Sequence, residues 1–172
     1  MIGGSRSGKS AAAEARAREL GGARVLYVAT ATVPDGDAEL QRRVEEHRRR
    51  RPAGWSTAEV SYAVEGGLIA ALEEGRGSGA VLVDSLTLWV SGVMLAGRSE
   101  EEVLEEFEGV LSRAAGMQAP VVLVTDEVGQ GVVPPSAEGR RFRDLLGLVN
   151  QRAAAVSEEV HFCVAGIPVR IQ

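Results

Sequence analysis

Two patterns of hydrophobic and polar positions alternate along the chain. Short apolar runs bounded by glycine or polar residues predict buried strands over residues 25–29, 80–84, 121–125 and 160–165. Residues 55–59 predict a connector or short strand, and residues 169–171 a short last strand after a turn at 166–168. Helix-forming segments, most with apolar residues three or four positions apart, are predicted over residues 10–20, 37–50, 62–74, 86–95, 100–117 and 138–159. Strands that alternate with helices predict an α/β fold with a mostly parallel sheet.

Composition narrows the class of protein. The 172 residues suit a single domain over 1–172, and an apolar fraction of 45% is enough for a core. The net charge of −5 argues against a general nucleic-acid binder. The single cysteine, Cys163, excludes an intramolecular disulfide and is expected to be a small buried hydrophobe. Without a signal peptide or an apolar run of membrane-spanning length, we expect a cytoplasmic protein.

The strongest local signal is a phosphate-binding loop at residues 3–10. The stretch G-G-S-R-S-G-K-S fits the pattern G-x-x-x-x-G-K-[ST] and is followed by the first predicted helix. Its glycines let backbone N–H groups approach phosphate oxygens, and the positive end of the helix also faces the anion. Lys9 reaches the β- and γ-phosphates, and the Ser10 hydroxyl is a ligand for Mg²⁺. The residues predicted to bind nucleotide here are Gly3, Gly4, Ser5, Arg6, Ser7, Gly8, Lys9 and Ser10.

The start of the chain departs from the usual context of such a loop. Only Met1 and Ile2 precede Gly3, too few for a strand of ordinary length. Either the start was assigned too far downstream or the chain was shortened. We therefore expect a truncated first strand and a loop that is less firmly anchored than usual.

Other polar residues are expected at the same edge of the sheet as this loop. Residues 30–32 follow the first full strand, Asp84 ends the next one, and residues 126–129 follow the third. An aspartate at a strand end in a phosphate-loop protein helps to hold Mg²⁺, together here with Ser10. The alternative, which is compatible with a role in holding Mg²⁺, is that Asp84 caps the helix that starts near Ser85. The convergence of these segments predicts one nucleotide site.

An arginine-rich segment surrounds His47. Six arginines, at positions 42, 43 and 48–51, crowd this part of an acidic protein. Leu40, Val44 and His47 are spaced to share one helix face, so His47 fits a packed histidine and the arginines a solvated face. Spacing alone favours that interpretation over a catalytic role.

Several segments together resemble one family. They are G-G-S-R-S-G-K-S at 3–10, L-Y-V-A-T at 26–30, R-V-E-E-H-R-R-R-R-P-A-G-W at 43–55, D-S-L-T-L-W at 84–89, T-D-E-V-G-Q-G-V-V-P at 125–134 and G-I-P at 166–168. The chain resembles the bifunctional adenosylcobinamide kinase / adenosylcobinamide-phosphate guanylyltransferase family of cobalamin biosynthesis. Asp126 stands where that family usually has Asn, and Leu148 where Arg is frequent.

The resemblance implies a fold and a reaction. The fold is that of a RecA-like P-loop NTPase with three layers, assembled as a homotrimer. ATP or GTP, with Mg²⁺, phosphorylates adenosylcobinamide, and GMP is then transferred from GTP to adenosylcobinamide phosphate. His47 carries the GMP as a phosphoramidate, which reverses the interpretation drawn from spacing. The implied catalytic residues are His47 and Lys9, the metal residues Ser10 and Asp84, and the further nucleotide-binding residues Thr30, Ala31, Thr32, Arg48, Arg51, Glu59 and Asp84.

Three other functions compete with this one. A P-loop small-molecule kinase would transfer a phosphoryl group without nucleotidyl transfer, and His47 would be structural. A non-catalytic nucleotide-binding module would bind without turnover. A nucleic-acid binder using the arginine-rich helix is disfavoured by the overall acidity and by the lack of aromatic residues among the arginines.

Overall fold

The computed structural model describes residues 1–31, 41–42, 44–45, 48–49 and 51–172. The strands are β1 Ile2–Gly3, β2 Val25–Ala29, β3 Ser56–Glu59, β4 Ala80–Asp84, β5 Val121–Asp126, β6 His161–Val164 and β7 Ile167–Arg170. The helices are α1 Lys9–Gly21, α2 Gly67–Glu73, α3 Leu86–Leu95, α4 Glu100–Ala115 and α5 Ala137–Val156.

The strands form one sheet in the order β3-β2-β4-β5-β1-β6-β7. All neighbours pair in parallel except β6 and β7, which form an antiparallel hairpin at one edge. The α/β class and the mostly parallel sheet are therefore confirmed. The short first strand is also confirmed, because β1 has two residues and lies between β5 and β6.

Helices cover both faces of the sheet, which gives three layers. Alternate residues of β2 point to opposite faces, as the pleat requires. Val25 and Tyr27 pack with Ala13 and Ala17 of α1 on one face. On the other face a larger core is built from strand residues and from helices α2 to α5. Its largest fully buried side chains are Leu26, Leu68, Leu72, Leu86, Trp89, Phe107, Leu145 and Leu146.

The β2, β4 and α3 boundaries match the sequence prediction, whereas α2 and the last turn differ from it. Helix α2 begins at Gly67 rather than residue 62, because Gly66 is left-handed (φ +76°) and interrupts the helix. The last turn lies at Ala165 and Gly166, both with positive φ, so the turn predicted at 166–168 is wrong and β7 already starts at Ile167.

The predicted helix over residues 37–50 lies partly outside the described residues. Those that are described, 41, 42, 44, 45, 48 and 49, have helical backbone. In the part of the chain that the structure covers, no helix combines the length and the apolar character needed to cross a membrane.

Candidate active site

A cleft of about 1190 Å³ opens at the carboxyl ends of the strands. This is the edge where ligands bind in open α/β sheets. The cleft brings together most of the residues that the sequence singled out. They are Ser5, Arg6, Ser7, Gly8, Lys9, Ser10, Ala31, Arg48, Arg51, Glu59 and Asp84.

The remaining predicted site residues divide into two groups. Gly3 and Thr30 are buried against the cleft's walls, and the Gly4 carbonyl accepts hydrogen bonds from Ser7 N (3.2 Å) and Lys9 Nζ (3.3 Å). Thr32 and His47 lie outside the described residues.

The phosphate loop leads directly into α1. Gly8 is the N-cap with φ +88°, a conformation that glycine adopts without steric cost. Its missing side chain leaves the first N–H groups of the helix without a side-chain cap. The loop therefore leads to the N-terminus of α1 as expected, and its role in anion binding stays a prediction.

Contacts with β6 and the following turn support this loop. Gly166 N donates to Ser7 O at 2.9 Å. A Cβ on Gly8 would lie 2.8 Å from the Gly166 Cα, and one on Gly3 would lie 2.5 Å from the Cys163 carbonyl oxygen. Both glycines are thus needed for close backbone packing. The short β1 leaves the loop anchored largely by its neighbours on the β6 side and by β5.

Lys9 forms an ion pair with Asp126 at the end of β5. Both side chains are mostly shielded from solvent, with exposed fractions of 12% and 22%. The Asp126 backbone is fixed, because its N–H donates to Thr87 Oγ1 (2.8 Å) and its carbonyl accepts from Asn150 Nδ2 (3.1 Å). The Lys9 ammonium, which the sequence predicts to bind phosphate, thus has an anionic partner in this structure.

Asp84 lies at the end of β4 and accepts a hydrogen bond from Tyr27 Oη at 2.9 Å. Burial, and then the negative charge of Asp84, raise the pKa of Tyr27 far above its usual value, so its hydroxyl stays protonated and donates.

The N-cap of α3 is Ser85, whose side chain accepts from Leu88 N, so the alternative that Asp84 caps this helix is wrong. The peptide bond between Asp84 and Ser85 is cis.

The Thr30 side chain holds the segment that carries Asp84. Thr30 is 1% exposed, and its hydroxyl donates to Ser85 O (2.8 Å) and accepts from Ser85 N (2.7 Å). These two bonds tie the end of β2 to the turn after β4.

Two described arginines of the basic segment, Arg48 and Arg51, contact β2 and β3. Arg51 Cζ lies 3.4 Å from the centroid of the Tyr27 ring, within the range of a cation–π contact. Arg51 Nη1 also donates to Thr57 Oγ1 (3.2 Å), and Arg48 Nη2 donates to Glu59 Oε1 (2.8 Å). These contacts bring positive charge to the same cleft as the phosphate loop.

The residues of the cleft fit Mg²⁺ carried by a nucleotide. Ser10 and Asp84 both line it. Among the described positions, no group of three or more His, Cys, Asp or Glu residues could hold a metal ion. A set of few protein oxygens suits Mg²⁺, which usually keeps its waters and is held by one or two protein groups plus substrate phosphates.

Tyr27 and Thr87 are among the cleft-lining residues that sequence reasoning missed. Tyr27 was assigned only to the interior of a strand, and Thr87 only to a buried helix. A tyrosine in an otherwise aliphatic strand indicates a polar partner nearby, because a buried hydroxyl needs a hydrogen-bond partner. That partner, Asp84, could be named only once β2 and β4 were known to be neighbours.

Comparison with known proteins identifies the family. The chain matches the family described as "CobU: Cobinamide kinase / cobinamide phosphate guanyltransferase" over residues 1–171. The chain belongs to this family. It is accordingly a bifunctional transferase with kinase and guanylyltransferase activities in cobalamin biosynthesis, which confirms the family that the motifs indicated.

Individual members are similar over the whole chain. The bifunctional adenosylcobalamin biosynthesis protein CobP of Pseudomonas aeruginosa is 41% identical over 172 residues, covering 100% of this chain and 95% of that protein. The proteins named CobU of Salmonella typhimurium and Escherichia coli are 37% and 35% identical, each covering 100% of this chain and 98% of the relative. The P-loop NTPase-like fold is consistent with this membership.

Proposed function

We propose that this enzyme phosphorylates adenosylcobinamide with ATP or GTP and then guanylylates the product through a covalent GMP–His47 intermediate. An imidazole nitrogen of His47 attacks the α-phosphorus of GTP, and the bond to the β-phosphate oxygen breaks to release pyrophosphate. A phosphate oxygen of adenosylcobinamide phosphate then attacks the same phosphorus. The P–N bond breaks, which releases adenosylcobinamide-GDP and frees His47.

The observation that carries this proposal is the position of the sequence neighbours of His47. Val44, Glu45 and Arg48 line the cleft that also contains the phosphate loop. The arginines at 48 and 51 supply positive charge there, and charge near a phosphoryl group that is being transferred stabilises the transition state. The segment around His47 therefore borders the space where the triphosphate would lie.

The kinase reaction uses the side of the same cleft that is formed by the phosphate loop and the end of β4. Lys9 and the N–H groups at the start of α1 bind the β- and γ-phosphates, and Ser10 and Asp84 hold Mg²⁺. When bound, the metal offsets phosphate charge and keeps the transferring group in line. The acceptor is the hydroxyl of the aminopropanol arm of adenosylcobinamide. Its oxygen bonds to the γ-phosphorus, the bond from that phosphorus to the β–γ bridging oxygen breaks to release ADP or GDP, and the hydroxyl proton passes to water.

The remaining proposed nucleotide-binding residues surround this position. Gly3, Gly4, Ser5, Arg6, Ser7 and Gly8 supply the loop. Ala31 and Glu59 line the cleft, and Thr30 supports Asp84 through Ser85. Thr32 keeps its proposed role on the resemblance alone.

The decisive experiment is intact-protein mass spectrometry after incubation with GTP and Mg²⁺. Wild type is expected to gain the mass of one GMP, and His47→Ala is expected to gain none. His161→Ala, which removes the other histidine of the chain, is the matched control and should still be labelled. No adduct on wild type, or an adduct that survives His47→Ala, would leave a kinase without nucleotidyl transfer by this route.

We further propose a single-domain protomer over residues 1–172 that works in the cytoplasm as a homotrimer. Exposed aliphatic side chains along the edge hairpin, Ile167, Val169 and the adjacent Ile171, support a subunit contact there. Light scattering coupled to size-exclusion chromatography should give three times the protomer mass of 18.1 kDa, and Ile167→Glu should lower it. A monomeric wild type would contradict the trimer.

A further inference from the structure

Tyr27 lies next to the catalytic cleft without a role in the reaction as proposed above. It is 3% exposed in the middle of β2, and its hydroxyl donates to Asp84 Oδ2 at 2.9 Å. The register pairs Ala29 with Asp84, so Tyr27, two residues earlier, is on the same face of the sheet as Asp84. An aromatic side chain is long enough to reach such a diagonal neighbour.

The ring of Tyr27 is itself held in place. The guanidinium of Arg51 covers the ring with its Cζ 3.4 Å from the centroid, and Arg51 is tied to Thr57 of β3. On the core side the ring packs in the same cluster as Ala13 and Ala17 of α1. A hydroxyl on a ring fixed in this way has a defined direction, so the carboxylate that accepts from it has a defined orientation as well.

We propose that Tyr27 is a positioning residue that sets the orientation in which Asp84 meets the Mg²⁺ of the bound nucleotide. This inference rests on the proposed role of Asp84 as a magnesium residue. A carboxylate turns easily about its terminal torsion, because that torsion has broad wells. Partners that hydrogen-bond to a metal-binding carboxylate remove this freedom, and their loss typically lowers metal affinity about 10–100-fold.

The same contact links the two halves of the enzyme. Arg51 belongs to the basic segment assigned to guanylyl transfer, and Asp84 to the magnesium site. Tyr27 touches both. Tyr27 is therefore in contact with one residue from each of the two proposed sites.

The test measures Mn²⁺ binding to the protein with a non-hydrolysable GTP analogue, by the electron paramagnetic resonance signal of free Mn²⁺. Tyr27→Phe keeps the ring and removes only the hydroxyl. We expect its Kd for Mn²⁺ to rise about tenfold, with the affinity for the analogue in the absence of metal unchanged. A purely structural tyrosine would lower the Tm and leave the Mn²⁺ affinity as in wild type.

Tyr62→Phe is the matched control. Tyr62 also donates its hydroxyl from a partly buried site, but to the Thr30 carbonyl at 2.7 Å rather than to a carboxylate. We expect its Mn²⁺ affinity to equal that of wild type. An equal loss in both variants would overturn the positioning role.

Asp84→Asn separates this inference from the proposed function. If Asp84→Asn weakens Mn²⁺ binding and Tyr27→Phe does not, the role of Tyr27 is wrong and the magnesium role of Asp84 stands. If Asp84→Asn has no effect, both are wrong. In the double variant the partly buried carboxylate that would lose its donor is removed as well, so that any destabilisation specific to Tyr27→Phe does not affect the comparison. Since Tyr27 acts through Asp84, the double variant should match Asp84→Asn, and a further loss would contradict the proposal.

Discussion

The ammonium of Lys9 and the carboxylate of Asp126 form an ion pair inside the cleft, where the phosphate loop meets β5. Phosphate groups that bind to Lys9 must compete with this carboxylate, and the carboxylate repels them. Asp126→Asn should therefore bind GTP more tightly without Mg²⁺, by about tenfold or 1.4 kcal/mol. With Mg²⁺ the gain should be smaller, because the metal already offsets phosphate charge. Isothermal titration calorimetry with and without chelator measures both values.

Asp144→Asn is the control for this experiment. It makes the same charge change on α5, where Asp144 is exposed and pairs with Arg143. Its GTP affinity should match that of wild type. Unchanged or weaker binding by Asp126→Asn would mean that the ion pair does not oppose the nucleotide.

Thr30→Val tests the support beneath Asp84. The valine fills the same space but leaves the N–H and the carbonyl of Ser85 without their buried partner. We expect a loss of about 1–3 kcal/mol in the free energy of unfolding, with a Tm lower by roughly 2–4 °C per kcal/mol. Thr30→Ser keeps the hydroxyl and should recover most of the loss. Equal unfolding curves for the valine variant and wild type would show that these bonds add nothing.

Gly8→Ala and Gly77→Ala separate backbone strain from close packing. Both glycines have positive φ (+88° and +84°), but a Cβ on Gly77 meets nothing within 4 Å, whereas one on Gly8 lies 2.8 Å from Gly166. We expect each variant to lose about 1–2 kcal/mol in the free energy of unfolding, because alanine is strained in the left-handed conformation. Gly8→Ala should lose about 1–3 kcal/mol more, because its Cβ overpacks against Gly166. Urea unfolding measures the difference. Only Gly8→Ala should also lose GTP binding, and equal costs would argue against the close approach.

Two glutamates one turn apart on α4 should respond to pH in opposite directions. Burial raises the pKa of Glu106 above the ordinary 4.5, although the Gly66 N–H partly opposes this. Its contribution to stability is therefore full below pH 4.5 and is lost as pH rises through the raised pKa. The hydrogen bond from the Ser99 backbone lowers the pKa of Glu102, so its contribution is present above pH 4.5 and is lost as pH falls.

Glutamine variants at both positions test this contrast. Relative to wild type, Glu106→Gln should gain in Tm as pH rises from 4.5 to neutrality. The Tm of Glu102→Gln should equal that of wild type in acid and should become lower than that of wild type as pH rises. Differential scanning calorimetry from well below pH 4.5 up to neutrality measures both slopes, because the change at Glu102 falls below pH 4.5 and that at Glu106 above it. Parallel curves for the two variants would show that burial does not control the titration of Glu106.

The sequence predicted those elements whose signals are local. The strand β4 and the helix α3 have the predicted bounds, because an apolar run and a helical run each end at residues that break the pattern. Helix α2 was predicted too long, since the apolar spacing continues through Gly66 while the backbone there does not stay helical. The buried state predicted for Cys163 is confirmed by its exposure of 2%.

Contacts that depend on strand order were beyond sequence reasoning. The bond from Tyr27 to Asp84 requires β2 to lie beside β4, and the ion pair of Lys9 with Asp126 requires β1 to lie beside β5. Neither pair of strands is consecutive in the chain. The phosphate loop, by contrast, is one continuous segment, so its residues were found directly. The role of His47 remains a prediction.

The hydrogen bond from Gly166 to Ser7 also has a consequence for how the enzyme is made. During translation the phosphate loop at residues 3–10 is synthesised before its supports at Asp126, Cys163 and Gly166. A nascent polypeptide that stalls before the edge hairpin has every residue of the nucleotide-binding signature and still lacks the scaffold that shapes it. We therefore expect competence to bind GTP to arise only after β6 and the turn at Ala165 and Gly166 have been synthesised.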